Sequence, residues 1–340
     1  METLSLEGIR VFATCPSSGT VPQDVYPGRV ASVARWSEEA GCCGVLVYTD
    51  NGLVDPWLVS QLVIASTERL SPLVAVQPVY LHPYAAAKMV ASLGHLHGRR
   101  LFLNLVAGGF KNDLLALGDE TPHDERYERT VEYGSVMQQL LASPSPVTFA
   151  GKHYRVQNLR MTPPLPPELR PGLLISGSSP AGLEAARALG ATAVRYPKPP
   201  GEEDEVPSGD SVDFGVRVGI VARERAQEAW AVARLRFPED RKGQITHKLA
   251  VGVSDSQWHR QLSEREAEEA SNGSPYWLGP FQNYKTFCPY LVGSYERVAL
   301  EVAGYLELGY STFILDVPAS PDDLLHTAVV FRRALTHTPA

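Results

Sequence analysis

The chain is short of cysteine, has no surplus of basic residues and contains no long apolar run, and each shortage removes a class of function. Four cysteines among 340 residues (Cys15, Cys42, Cys43 and Cys288) cannot build a dense disulfide framework, and none stands at zinc-site or C-x-x-C spacing. Lys and Arg number 31 against 38 for Asp and Glu, a net charge of −7. Binders of nucleic acid or of anionic membrane surfaces carry the opposite balance, so neither partner is expected. No stretch reaches about 18 uncharged apolar residues, the signature of a membrane span. The opening METLSLEGIR lacks a basic segment followed by an apolar one, and a cytoplasmic protein is expected. Missing too are H-E-x-x-H, a recognisable Ser/His/Asp arrangement and carboxylates at metal spacing, so no metal site is expected.

What is present is alternation. Short apolar runs at 9–14, 44–48, 73–76, 101–105, 173–176, 191–194, 216–222 and 312–315 are of the kind found in buried strands. Helical patterns lie between them at 28–40, 56–67, 83–96, 126–141, 181–189, 224–236 and 296–308, and Gly41, Gly98, Gly190 and Gly309 sit where helix-ending glycines belong. Eight strands joined by crossovers leave a closed (β/α)8 TIM barrel or an open doubly wound sheet. The open sheet should show G-x-G-x-x-G after its first strand. Here that strand runs into TCPSSGTVPQ, so the α/β barrel is favoured, as one domain over 1–340. Two insertions are expected: a β-hairpin near 147–160, turning at Gly151-Lys152, and a long loop or lid near 244–293 that includes the aromatic stretch 276–290. The acidic run 202–205 is read as a solvated loop.

Three segments are candidates for chemistry. In Ile175-Ser176-Gly177-Ser178-Ser179-Pro180 a strand enters a helix through Gly177, Ser178 and Ser179, the layout that receives an anion on free N–H groups and hydroxyls. The competing reading is that Ser179 is only an N-cap. His123 and Tyr127 stand four apart at the start of a helix and share a face, where both can reach one anion; the alternative is a capped helix with His123 exposed. Asn104 is an amide inside the apolar strand LFLNL, costly unless hydrogen-bonded, at an end that faces the mouth of a barrel.

These segments, with GCCGVLVYTD, VTFAGKHYRV, FGVRVGIVARERAQEAW and LVGSYERVA, stand in an order that resembles the bacterial luciferase-like flavin-dependent monooxygenases, in particular the two-component alkanesulfonate branch, over roughly residues 9–317. The resemblance implies a TIM barrel binding reduced FMN (FMNH2) delivered by a separate NAD(P)H-dependent flavin reductase, and a homodimer. It places the flavin phosphate against Ser178 and Ser179, with His123 and Tyr127 on the same side and Asn104 near the ring. It implies that FMNH2 reacts with O2 to give a C4a-peroxy species that oxygenates a small organic substrate, chemistry in which the protein binds, orients and excludes water. Alternatives on the same barrel are a deazaflavin-dependent oxidoreductase and a non-catalytic flavin-binding homologue.

The substrate end departs from the alkanesulfonate pattern. Leu53 stands for a cysteine, Gly219 for a histidine, Tyr284 with Lys285 for an arginine, and the tyrosine after the last strand has no counterpart in ILDVPAS. Arg217 remains. An alkanesulfonate is therefore not expected; specialised metabolism is favoured over sulfur scavenging. Candidate catalytic residues are Arg217, Arg195 and Tyr48, with Gly219 opening volume beside Arg217, and Tyr196, Asp50 and Trp57 as neighbours. His95 and His97 are read as a solvated helix end, Cys42 and Cys43 as packing, and Cys15 as a pocket residue without a lowered pKa.

Overall fold

The computed structural model describes residues 3–108, 110–203, 212–253, 262–263 and 274–337. Eight parallel strands close on themselves: β1 (Arg10–Thr14), β2 (Gly44–Val47), β3 (Ser71–Val76), β4 (Phe102–Leu105), β7 (Gly172–Ser176), β8 (Thr192–Arg195), β9 (Phe214–Arg223) and β12 (Tyr310–Leu315). Closure is made by β9, which pairs with β8 on one side and β12 on the other. All eight expected strands are there, within a few residues of their expected bounds.

Side chains alternate along each strand, and the ring separates them cleanly. Phe12, Leu46, Leu73, Phe102, Leu174, Val194 and Ile314 fill the interior as a cluster of their own, with Phe12 edge-on to Phe102 at 5.1 Å. The alternate set, including Val11, Val45, Val74, Leu103 and Phe313, packs outward against the helices. Those helices are α1 (Tyr26–Glu39), α2 (Pro56–Ala65), α3 (Pro83–His97), α5 (His123–Ala142), α6 (Pro180–Leu189), α7 (Ala226–Arg236), Tyr295–Glu307 and Pro321–His337; a shorter helix α4 (Lys111–Ala116) precedes α5. The four helix-ending glycines, Gly41, Gly98, Gly190 and Gly309, all sit at positive φ. No helix among the described residues is long and apolar enough to cross a membrane.

The expected hairpin is β5 (Val147–Ala150) with β6 (Arg155–Leu159). Glu132 of α5 holds its turn by accepting from the backbone N–H of Lys152, His153 and Tyr154 at 2.7–3.0 Å. The expected long loop proves to be structured over its described parts. It contains α8 (Arg241–Val253), β10 (Tyr276–Trp277), the helical turn Gly279–Gln282 and β11 (Tyr290–Ser294); residues 254–261 and 264–273 lie outside the described residues. β11 runs parallel to the second half of β9, pairing Tyr290 with Gly219 and Ser294 with Arg223. The first half of β9 thus belongs to the barrel and the second half to a small flanking sheet.

The acidic run needs correcting at Glu203, whose side chain is only 7 % exposed rather than solvated. Its carboxylate accepts from the Tyr310 hydroxyl (2.9 Å) and the Lys198 N–H (2.7 Å) and faces Arg195 at 3.7 Å. Asp204 and Glu205 lie outside the described residues.

Candidate active site

Alternation carries a layer of polar side chains to the C-terminal ends of the strands, where they line one cavity of about 740 Å³. Such a volume lies within the range of about 300–1,000 Å³ typical of sites for small molecules and cofactors. Tyr48, Asn104, Ser176, Gly177, Ser178, Ser179, Tyr127, His123, Tyr196, Arg217 and Asp316 all face it.

One end is built from the turn between β7 and α6. Gly177 has φ +155, and a Cβ there would collide with the Tyr127 hydroxyl, so only glycine lets the phenol reach this turn. The Tyr127 ring lies against Gly182 in the first turn of α6, and His123 stacks edge-on to it at 5.2 Å. Ser179 is the N-cap: its Oγ accepts from the Gly182 N–H at 3.1 Å. That role does not remove its hydroxyl hydrogen, which stays available to donate. His123 directs Nδ1 to Asp124 at 2.7 Å, which leaves Nε2 as the ring nitrogen for a ligand. Hydroxyl, phenol, imidazole and helix-end N–H groups thus converge at the positive end of a helix dipole. This donor set suits a phosphate.

Asn104 is 5 % exposed and accepts the Ser176 hydroxyl on Oδ1 at 2.9 Å, which leaves its NH2 as the part that faces the cavity. Leu46, Ala75, Val106 and Ala107 line the cavity with apolar surface suited to a flat ring. The donor set and the apolar lining together fit a flavin mononucleotide.

The other wall is formed by β9, β12 and β2. Arg217 is 5 % exposed. Its Nη2 donates to the Tyr48 hydroxyl, its guanidinium carbon stands 4.9 Å from the Tyr48 ring centre, and its buried Nε has no partner among the described residues. Burial opposes the charge on Arg217, whereas the hydrogen bond to Tyr48 and the nearby Asp316 carboxylate favour it, and the group stays a cation. Burial pushes the Tyr48 phenol upward despite Arg217, so it is neutral at physiological pH. Because Arg217 occupies the Tyr48 oxygen as donor, the phenolic hydrogen points elsewhere and can serve a ligand. Asp316 accepts on Oδ2 from Thr286 (2.6 Å) and Tyr290 (2.8 Å).

The structure does not gather every candidate. Arg195 follows Val194, which fills the barrel, so alternation turns it outward: it donates to Tyr310 (3.2 Å), lies over the Phe214 ring at 4.9 Å and faces Glu203. Its neighbour Tyr196 is the one that faces the cavity. Gly219 opens no volume beside Arg217, because the buried Tyr290 ring fills that space. Trp57 is core packing at the start of α2, a helix capped by Asp55, whereas Asp50 lines the cavity. Of the aromatic stretch, Tyr276, Phe281 and Tyr290 are buried in the body of the protein; Tyr284, Lys285, Thr286 and Phe287 are the part that meets the cavity. Burial pushes the Cys15 thiol up to about 12, and Cys288 likewise, so neither is a ready nucleophile. Asp316 was missed in the sequence. Its signal was an acid directly after the apolar strand TFIL, at the end of a barrel strand where functional groups collect.

Fold and cavity together define an α/β-barrel enzyme that handles its ligands at the strand ends. The chain matches the family model described as luciferase-like monooxygenase over residues 9–312. It is 35% identical over 299 residues to 4-(gamma-L-glutamylamino)butanoyl-[BtrI acyl-carrier protein] monooxygenase BtrO of Niallia circulans, covering 86% of this chain and 87% of that one. Among solved structures it resembles long-chain alkane monooxygenase LadA (TM-score 0.73, 16% identity, 98% and 93% of the two chains). It also resembles an F420-dependent secondary alcohol dehydrogenase (TM-score 0.65, 16% identity, 96% and 99%). At those identities the structural likenesses speak for the fold. The chain belongs to the luciferase-like monooxygenase family, and it is an enzyme of the monooxygenase class.

Proposed function

We propose that this chain binds reduced FMN, delivered by a separate NAD(P)H-dependent reductase, and uses O2 to oxygenate a small organic molecule held beside Arg217. The observation that carries this reading is a single cavity with phosphate-suited donors at Ser178, Ser179, Tyr127 and His123 and a buried, partly unpartnered arginine on another wall. When bound, the reduced flavin supplies the activation of O2. The protein's share is placement: Asn104 donates its amide NH2 toward the ring, Arg217 and Tyr48 donate to the substrate, and the apolar lining excludes water from the reacting face. Working as a homodimer is part of the same reading.

The Niallia circulans relative is named for an acyl group held on an acyl-carrier protein. A substrate of that class, an acyl chain delivered on a carrier, is the one we favour over an alkanesulfonate. Arg217 shares its wall with the carboxylate of Asp316, which disfavours a strongly anionic head group.

A deazaflavin-dependent oxidoreductase would have the same phosphate-suited turn, and a non-catalytic flavin binder would too. Mixing the protein anaerobically with reduced FMN or with reduced deazaflavin, then admitting O2, separates the three. Tight binding of FMNH2 with oxygen uptake is expected. Hydride transfer from the deazaflavin without oxygen uptake, or preference for oxidised FMN with no turnover, would replace the proposal.

A further inference from the structure

Arg217 and Asp316 lie on adjacent strands with the same inward phase. Ile314 of β12 is in register with Arg217 of β9 and Leu315 with Val218, so Asp316, the next residue on, stands diagonally above Arg217 on the same face. Both side chains line the cavity, yet no ion pair within 4.0 Å joins them. Each is held by neighbours and still has an unused atom. Arg217 is anchored through Nη2 on Tyr48 and by a hydrogen bond with Tyr196, and its buried Nε has no partner among the described residues. Asp316 is anchored through Oδ2 by Thr286 and Tyr290, while Oδ1 has no hydrogen-bond partner among the described residues.

The other ionisable groups around Arg217 are neutral, because burial pushes Tyr48, Tyr196 and Cys288 upward. Further cations that line the cavity are engaged elsewhere, Arg236 by Asp323 at 3.0 Å, Lys285 by Asp240 at 2.5 Å and Arg29 by the Ala319 carbonyl at 2.8 Å, and the carboxylates of Asp50 and Asp113 line the cavity on the side of Tyr284. Next to Arg217, then, the wall sets one cation near one anion, Asp316 being the carboxylate that acts on the guanidinium. A ligand with only a negative end would satisfy Arg217 and meet the field of Asp316. A ligand with only a positive end would meet the reverse. Buried or partly buried charges left unmatched cost several-fold more than exposed ones, so this wall discriminates by charge pattern.

We propose that Arg217 and Asp316 form a receptor for a zwitterionic head group of the α-amino-acid type, carboxylate on Arg217 and ammonium on Asp316, at the end of the substrate farthest from any carrier. This rests on the reading that the Arg217 wall is the substrate side. It makes Asp316 a specificity-determining residue and explains why Thr286 and Tyr290 hold its carboxylate in place.

The experiment uses three small probes that differ only in head group: L-norvaline, which has both charges, pentanoate, which lacks the ammonium, and butylamine, which lacks the carboxylate. Calorimetric titration of the full chain at neutral pH should rank L-norvaline at least tenfold above each of the others. In Asp316→Asn the preference of L-norvaline over pentanoate should vanish. A flat ranking in the unmodified protein, or an unchanged preference in Asp316→Asn, overturns the proposal. The ranking in the unmodified protein decides it even if the variant does not fold. Anaerobic titration of the same samples with reduced FMN keeps the two readings apart: absence of FMNH2 binding defeats the flavin assignment, whereas FMNH2 binding with a flat ranking defeats the head-group receptor alone.

Discussion

Gly219 offers a sharp check on the packing that holds the substrate wall together. Its backbone is not in the left-handed region, and a glycine inside a strand is normally worse than alanine by about 0.5–1 kcal/mol. On backbone grounds alone, Gly219→Ala should stabilise the protein. The structure reverses the sign. A Cβ at this position would be driven into ring carbons Cε1, Cε2 and Cζ of Tyr290, far inside the roughly 3.5–4.0 Å of ordinary carbon contact. The ring has nowhere to go: Tyr290 is 1 % exposed, lies edge-on to Phe237 at 4.9 Å and is bonded to Asp316. Overpacking of a filled core costs about 1–3 kcal/mol, and the tethered ring argues for the upper part of that range, so the net loss should be about 1–2 kcal/mol. Urea unfolding followed by tryptophan fluorescence measures it. A double-mutant cycle with Tyr290→Leu isolates the cause, since Gly219→Ala in that background should become neutral or stabilising, with an interaction energy of at least about 1 kcal/mol. A stabilised single mutant, or an equal loss with and without the Tyr290 ring, would refute the reasoning.

Three further outcomes are expected. Ser178→Ala combined with Tyr127→Phe should weaken FMN binding by about 1–3 kcal/mol through loss of charge-assisted hydrogen bonds, and unchanged affinity in a fluorescence-quenching titration would count against the phosphate site. Arg217→Ala should impair substrate turnover while sparing FMN affinity; a variant with normal turnover removes Arg217 from the mechanism. Burial opposes ionisation of Asp119, but hydrogen bonds from Arg129 and Thr121 outweigh it and hold the carboxyl at about 2, below its ordinary 3.8. Because the folded-state pKa is depressed, its contribution of about 2 kcal/mol is complete above pH 4 and lost as pH falls toward 2. The stability gap between wild type and Asp119→Asn, read as urea midpoints at pH 7, 4 and 3, should narrow over that window; a constant gap contradicts the assignment.

The elements of this protein were legible in the sequence because their signals are local. Each barrel strand is a short apolar run, each of the four glycines ends its own helix, and the turn Gly177-Ser178-Ser179-Pro180 announces a strand entering a helix within six residues. The anion-suited end of the cavity was readable for the same reason: its parts sit at helix starts, where spacing alone puts His123 and Tyr127 on one face. The opposite wall was not. Whether a residue at a strand end points in or out depends on the phase set by closing the ring, and that phase turned Arg195 outward and Tyr196 inward. What sits beside Gly219 depends on pairing β9 with a strand that begins about seventy residues later, at Tyr290. The same long-range pairing brings Tyr290 and Thr286 onto Asp316 and fixes one anion near one cation. Sequence thus determined the strands, the helix caps and the donors of one end, through contacts between near neighbours; barrel closure and the pairing of β11 with β9 decided which charges share the cavity, because they join residues that no local pattern connects.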